Sequence, residues 1–486
     1  MSKINFNDTN KKFHFIGIGG ISMSGLAEIL LNKGFKVSGS DIKNTKIIKH
    51  LEDLGVDFYL GHLASNIKDD VDFVIYTAAI KKDNPELVEA QKRNLTILNR
   101  AELLGEIMKA FPYSIAVSGT HGKTTTTSML SNILIQAKKD PTVTVGGIVD
   151  AIGGNIRIGQ SEYFITEACE YCDSFLNFYP YIGIILNMEE DHLDFFKDIN
   201  HIRKSFTAFA KNISKDGALI INGDIENLSL ILDEIDCKVV TFGTDPSRVM
   251  WTAANIKYNE KACGKFDLLY QGKNMGTVSL NVPGIHNIYN ALAASAAAFE
   301  LNIEIADIIK GLHNFKGTHQ RFEIKGSLKG ITIVDDYAHH PTEIKATLEV
   351  AKHYPHNTIW CVFQPHTYTR TKMFLKEFAE ALKEADKIIL TDIYAAREKD
   401  LGEIHSKDLQ RELAKIGKES YYFPDFDSIE NFLLQNCIPG DLLITMGAGD
   451  VGTIGEDLLG ACFLQEKFPH FCKNFSPGTG GEILCQ

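Results

Sequence analysis

No run of 18 apolar residues occurs anywhere in the 486-residue sequence, so it offers no segment long enough to cross a bilayer as a helix. The first residues, MSKINFNDTNKKFHF, lack the apolar stretch and small-residue cleavage site of a secretory leader. Positive charge is in deficit too: 50 Lys and Arg face 62 Asp and Glu, a formal net charge of −12. That balance repels a nucleic-acid backbone at long range, so a bound nucleotide has to be held by local donors. The nine cysteines include one CxxC, Cys169 with Cys172, and no second pair at zinc spacing. An odd number of scattered thiols without a leader fits reduced cysteines in a cytoplasmic protein. Internal repeats and low-complexity tracts are also missing.

What remains is an ordinary globular composition, 44% apolar and 23% charged, in a chain too long for a single core. Three domains are expected. The first hundred residues alternate strand-like FHFIGIGG, FKVSGSD and DFVIYTAAI with helical SGLAEILLNKG, the pattern of a parallel sheet covered by helices. After Pro112 the pattern restarts with FPYSIAVSGTHGKTTTTSMLSNILIQA, and EYFITEAC, YIGIILNM and GALIING follow as strands with polar ends. VPGIHNIYNALAASAAAFELN reads as a loop entering an alanine-rich helix. A third series then begins with ITIVDDYAHHPTEI and runs through TIWCVFQPHTYTRT, KIILTDIYAAR and DLLITMGAGDV. Boundaries are therefore set at 1–111, 112–316 and 317–486, with residues 460–486 expected to form a tail of little periodicity.

Between a strand and a helix, SGTHGKTTTT supplies the shorter phosphate-loop form GxxGKT and misses the longer one only at Val117. Gly119 and Gly122 keep side chains out of the cradle, Lys123 can reach outer phosphates, and Thr124 can ligate magnesium. Magnesium needs further oxygen ligands. Glu167, closing YFITEAC, is the first candidate and His192, in EEDHLD, the second. An earlier cluster, GIGGISMSG at 17–25 with Asp41 after the next strand, suggests dinucleotide binding. Ser22 stands where its third glycine belongs, so that reading stays open beside a second nucleotide site.

Taken together, SGTHGKTTTT, TEACEYCDSFL, EEDHLD, HNIYNALAA, RFE, DDYAHHPTE, FQPHTYTRT and MGAGDV, in that order, resemble the Mur ligase family from about residue 13 to about 455. The resemblance implies an α/β protein of three domains: an N-terminal Rossmann-like domain for a UDP-sugar, a central P-loop ATPase-type domain with a parallel or mixed sheet, and a C-terminal Rossmann-like domain. It also implies that ATP and Mg2+ drive the joining of L-alanine to UDP-N-acetylmuramate through an acyl phosphate. The GIGGISMSGLAE motif favours that branch over relatives that recycle a peptide.

By position, the resemblance puts Gly17, Gly19, Gly20, Ser22 and Met23 near the UDP diphosphate and Asp41 near the uridine. It puts Gly119, Thr120, His121, Gly122, Lys123, Thr124, Thr125, His286, Asn287, Asn290, Arg321 and Asp336 at ATP, and Thr124, Glu167 and His192 at magnesium. It gives Asp335, Tyr337, His339 and Arg370 to the side where ATP is covered and the amino acid binds. Lys123, His192, His339 and Arg370 are the expected catalytic set. Gln320 stands where many relatives carry a second arginine, and Thr367 where some do. A nucleotide-dependent binding protein that forms no bond is the alternative from another class, and it leaves DDYAHH and QPHTYTRT without a purpose.

Overall fold

Three sheets carry the chain, and the computed structural model describes residues 3–77, 79–396 and 398–467, the side chains of the last seven excepted. The first sheet holds β1 (Lys12–Ile16), β2 (Lys36–Asp41), β3 (Asp57–Leu60), β4 (Phe73–Tyr76) and β5 (Thr96–Asn99). All pair in parallel in the order β3-β2-β1-β4-β5. Lys36↔Lys12 begins the central register and Ser40↔Ile16 ends it, which brings the exits of β1, β2 and β3 to one edge. The helix Ile21–Asn32 stops at Lys33, and Gly34 takes the positive φ of 88° that ends it.

The second sheet is built on β6 (Tyr113–Ser118), β7 (Thr142–Val149), β8 (Gly154–Arg157), β9 (Tyr163–Glu167), β10 (Ile182–Ile185), β11 (Ala218–Asn222) and β12 (Lys238–Phe242). It is extended by β13 (Trp251–Tyr258), β14 (Cys263–Tyr270) and β15 (Lys273–Pro283). Its order is β15-β14-β13-β12-β11-β10-β6-β9-β7-β8. The middle strands are parallel and read as continuous apolar runs because helices cover both faces. The antiparallel additions, β13-β14-β15 and β7-β8, are not singled out by periodicity.

The third sheet runs β16-β17-β21-β18-β19-β20, from β16 (Glu323–Leu328), β17 (Ile331–Asp336), β18 (Ile359–Phe363), β19 (Lys387–Leu390), β20 (Ser420–Tyr422) and β21 (Leu442–Met446). Only β16 is antiparallel to its neighbour. The first two sheets share one compact unit ending at His319, and the third forms a second unit from Gln320. Each has its own buried core, with Phe13, Phe15 and Phe164 in the first unit and Phe363, Phe378 and Ile444 in the second.

Within the first unit the helix Arg100–Met108 packs against the kinked 3-10 segment Tyr171–Asn177, where a Cβ on Gly105 would run into the Asn177 carbonyl. The expected tail is partly helix: Gly452–Lys467 forms one continuous helix across Gly460, anchored by buried Val451, Ile454 and Leu458. The rest of that tail, 468–486, lies outside the described residues. No helix among the described residues is long and apolar enough to cross a membrane.

Candidate active site

In the second sheet β10, β6 and β9 are neighbours, so their carboxyl ends set three loops side by side, where open α/β sheets gather ligands. Val117 lies inside β6, which explains why no glycine opens the loop five residues before Gly122: the loop starts later, at Gly119. Gly119 has φ 138° and Gly122 has φ 84°. A Cβ on Gly119 would lie 2.9 Å from Leu186 Cβ, and one on Gly122 would lie 2.5 Å from Asn290 Oδ1. The helix Lys123–Gln136 starts at Gly122 without a side-chain cap, which leaves its first N–H groups open to an anion. No threonine side chain caps this helix, and the cradle stays open to an anion such as a phosphate.

Asn187 fixes the loop from β10. Its Oδ1 accepts from the His121 N–H at 2.8 Å and its Nδ2 donates to the His121 carbonyl at 3.1 Å. Lys123 Nζ donates to the carbonyls of Gly119 (2.5 Å) and Thr120 (3.0 Å) and to Glu170 Oε2 at 3.0 Å. Burial works against that ammonium, but Glu170, with Cys169 and Glu167 behind it, holds it above its usual value. The Cys169 thiol is itself pushed up to about 11 by burial, so it is not a ready nucleophile. Thr124 is buried in the first helical turn. Glu167 Oε1 accepts from the Gly146 N–H at 2.6 Å. His192, at φ 52°, brings Nε2 to 3.9 Å from Glu170 Oε1. Asn290 accepts from Thr126 and donates to Asn287, so the HNIYN helix buttresses the loop. His286 is exposed beside Asn287, and Thr125 is half-buried on the loop helix.

At the edge of the first sheet Gly17 takes φ 82°, and its N–H donates to the Ser40 carbonyl at 2.8 Å. Asp41 Oδ2 accepts from the Gly19 N–H at 2.9 Å, which ties the glycine turn to the end of β2. Gly20 is the N-cap of the helix and offers no side-chain cap, and Ser22 is exposed, accepting from Arg100 at 3.1 Å. The Met23 side chain belongs to the core beneath the turn.

The second unit has its own cluster at the exits of β17, β18 and β19. Asp336 is 6% exposed and accepts from the N–H groups of Phe322 (2.7 Å) and Ala338 (2.8 Å). Burial pushes its carboxyl up to about 6, against the Arg321 guanidinium and those two donors. The N-cap of the helix Pro341–His353 is His340, so neither Asp335 nor Asp336 caps it. Asp335 instead accepts from Thr445. Arg321 lies 4.9 Å over the Tyr337 ring. His339 Nδ1 donates to the Tyr337 carbonyl at 3.0 Å, with Glu343 Oε2 at 3.3 Å. Arg370 Nη1 lies 3.1 Å from His366 Nδ1, and the His339 and His366 rings are 5.6 Å apart. Gln320 and Thr367 both adopt positive φ, at 59° and 65°.

Three sequence families match successive parts of this framework. "Mur ligase family, catalytic domain" covers residues 12–112, "Mur ligase middle domain" 117–298, and "Mur ligase, glutamate ligase domain" 320–449. A UDP-N-acetylmuramate--L-alanine ligase of Lachnospira eligens is 54% identical over 459 residues, 94% of this chain and 100% of that protein. The chain belongs to the Mur ligase family. A namesake from Acetivibrio thermocellus is 53% identical, covering 96% of this chain and 99% of its own. Among solved structures, a UDP-N-acetylmuramate-alanine ligase, MurC, from Thermotoga maritima matches with TM-score 0.76 and 32% identity, over 93% of this chain and 98% of that one. A murein peptide ligase from Psychrobacter arcticus matches with TM-score 0.68 and 25% identity over the same shares.

Against this Mur ligase framework, the main residue missed by sequence reasoning is Glu170. It sits three positions after Glu167 and pairs with the loop lysine. It is followed by Cys172 and Asp173, both at φ 53°, a kink that no periodicity announces. Asn187 and His366 were also missed. Each follows a strand end, the signal by which the others were found.

Proposed function

We infer that this Mur ligase joins L-alanine to the carboxylate of UDP-N-acetylmuramate at the expense of ATP, as the names of its relatives state for them. The observation that carries the reading is a glycine cradle with Lys123 at its mouth, in a chain 54% identical to such a ligase along nearly its whole length. The more distant resemblance to a peptide ligase gives the runner-up.

The chemistry follows from charge. A carboxylate does not lose oxide to an amine in water, so it has to be activated. A carboxylate oxygen takes the γ-phosphoryl of ATP, the bond to the ADP oxygen breaks, and an acyl phosphate forms. The amine nitrogen then attacks the acyl carbon, inorganic phosphate leaves, and one proton departs from the nitrogen. Lys123 and the uncapped helix start meet the charge that spreads over the transferred group. Glu170 holds Lys123 in line before the phosphates arrive.

For magnesium, Thr124, Glu167 and His192 are the proposed holders, and Glu170 joins them. The Thr124 hydroxyl and the Glu167 and Glu170 carboxylates offer the hard oxygen donors that ion prefers, and His192 offers an imidazole nitrogen beside them. When bound, the ion supplies positive charge against the phosphate oxygens. In the second unit, Tyr337, His339 and Arg370 are proposed to bind the amino acid, with Arg370 facing its carboxylate. The Tyr337 carbonyl fixes a proton on His339 Nδ1, so Nε2 is the basic nitrogen that receives the amine proton. Consumption of ATP and a UDP-sugar fits a cytoplasmic setting.

The test is ADP release with UDP-N-acetylmuramate and each of several amino acids, or the tripeptide that a recycling ligase takes. L-Alanine is expected to give the highest kcat/KM and UDP-muramoyl-alanine as product. Turnover with the tripeptide alone would transfer the chain to the recycling branch.

A further inference from the structure

Beneath the edge of the first sheet lies a buried polar cluster that the reaction chemistry does not use. Glu86, in the first turn of the helix Pro85–Lys92, is fully buried. Its Oε2 accepts from Ser40 Oγ at 2.6 Å and lies 2.9 Å from His62 Nδ1. Its Oε1 accepts from Asn66 Nδ2 at 2.7 Å, with His14 Nε2 at 3.4 Å. Burial raises that carboxyl, but hydrogen bonds from His14, Ser40 and Asn66 outweigh it and hold it below the usual range. The helix start adds further support for a negative charge. An ionised carboxylate only accepts, and the one proton of Ser40 Oγ is committed to it. The remaining contact of His62 Nδ1, with Ser40 Oγ at 2.9 Å, is therefore also with an acceptor. The proton of a neutral His62 ring must sit on Nδ1, which makes Nε2 an acceptor.

His62 follows β3, on a loop whose Gly61 N–H donates to the Asp41 carbonyl at 2.8 Å. Its ring keeps 18% exposure, and Nε2 has no partner among the described residues. When a phosphate sits at the glycine turn after the first strand of such a sheet, the ribose reaches the end of the second strand. That end here is Asp41, and the base then falls toward the third strand, where His62 lies. Ile42, Leu60 and Leu63 are 69%, 64% and 58% exposed around it, apolar walls suited to the faces of a flat ring.

We propose that His62, oriented by Glu86 and Ser40, accepts a hydrogen bond from the ring N–H of the substrate's uracil and thereby selects uridine over cytidine nucleotides. Cytosine carries a lone pair at that ring position and would meet the Nε2 lone pair head-on. The inference rests on the UDP-sugar reading and adds to it the atom that recognises the base.

The experiment measures competitive inhibition of ligation by UDP and by CDP at pH 8, where a histidine ring is ordinarily neutral. The parent protein is expected to bind UDP about tenfold or more tightly over CDP, the worth of one satisfied against one opposed polar contact. In His62→Ala and in His62→Phe, which keeps the ring volume, the ratio is expected to fall toward one. The KM for UDP-N-acetylmuramate should rise about tenfold while the KM for ATP stays in place. His62→Gln, whose amide oxygen can accept, should recover part of the ratio. An unchanged UDP/CDP ratio in both His62→Ala and His62→Phe overturns the proposal, as does an equal loss for both nucleotides. Failure of the parent protein to ligate at all would instead overturn the function reading.

Discussion

A lysine with 16% of its side chain exposed, beside a glutamate with 4%, is held for a purpose other than solubility. Lys123→Met removes the charge while keeping the stem. It is expected to lower kcat by about 10² to 10³, the usual loss of one donor aimed at developing charge, read as ADP release under saturating substrates. Asp336 makes a different prediction, about pH. Its carboxyl rises from 3.8 to about 6 in the fold, so the folded unit holds that proton more tightly than the unfolded chain does. The stability it allows is complete below about pH 4 and is lost as pH rises through about 6, by up to about 3 kcal/mol. Urea denaturation across that range should show this slope in the parent, and Asp336→Asn should flatten it.

At the scale of elements, the joint between the helix Arg100–Met108 and the segment Tyr171–Asn177 carries more than packing. That segment follows directly on Glu170, so whatever displaces it displaces the partner of Lys123. Gly105→Ala forces a Cβ against the Asn177 carbonyl. It is expected to cost about 1–3 kcal/mol in urea denaturation and to weaken ATP binding, although residue 105 lies outside the loop. Strand, loop and helix at 113–136 were legible because each signal is local: an apolar run, two glycines, a lysine at a helix start. The edge strands were not. In β13 burial fades from Trp251 to an exposed end at Tyr258, so the alternation that announces a strand is lost, and only pairing with β14 and β12 holds it in place. Gly460 reads as the start of a tail because the residues from there on show little periodicity, whereas the helix Gly452–Lys467 runs through it from buried Ile454 and Leu458.

For the molecule as a whole, each unit is built on an apolar core of its own, and among the described residues the clusters that make up those cores consist of apolar side chains. Chelation with EDTA is therefore expected to abolish ADP release and to leave the melting temperature nearly unchanged, with activity returning on addition of Mg2+. A melting shift large enough to match a structural ion would refute the assignment of Thr124, Glu167, Glu170 and His192 to a catalytic one.

The sequence alone determined the alternation of strands and helices, the glycine turns at 17 and 119, and the place of Lys123 at a helix start behind a glycine loop, because each depends on neighbours within a few positions. Only the tertiary structure decided that Glu170 faces Lys123, that Asn187 clasps His121, and that Glu86 orients His62. Those partners are 47, 66 and 24 residues apart, respectively. They meet through the order of parallel strands, and a parallel sheet brings distant segments to one edge by crossovers that leave no mark in local periodicity.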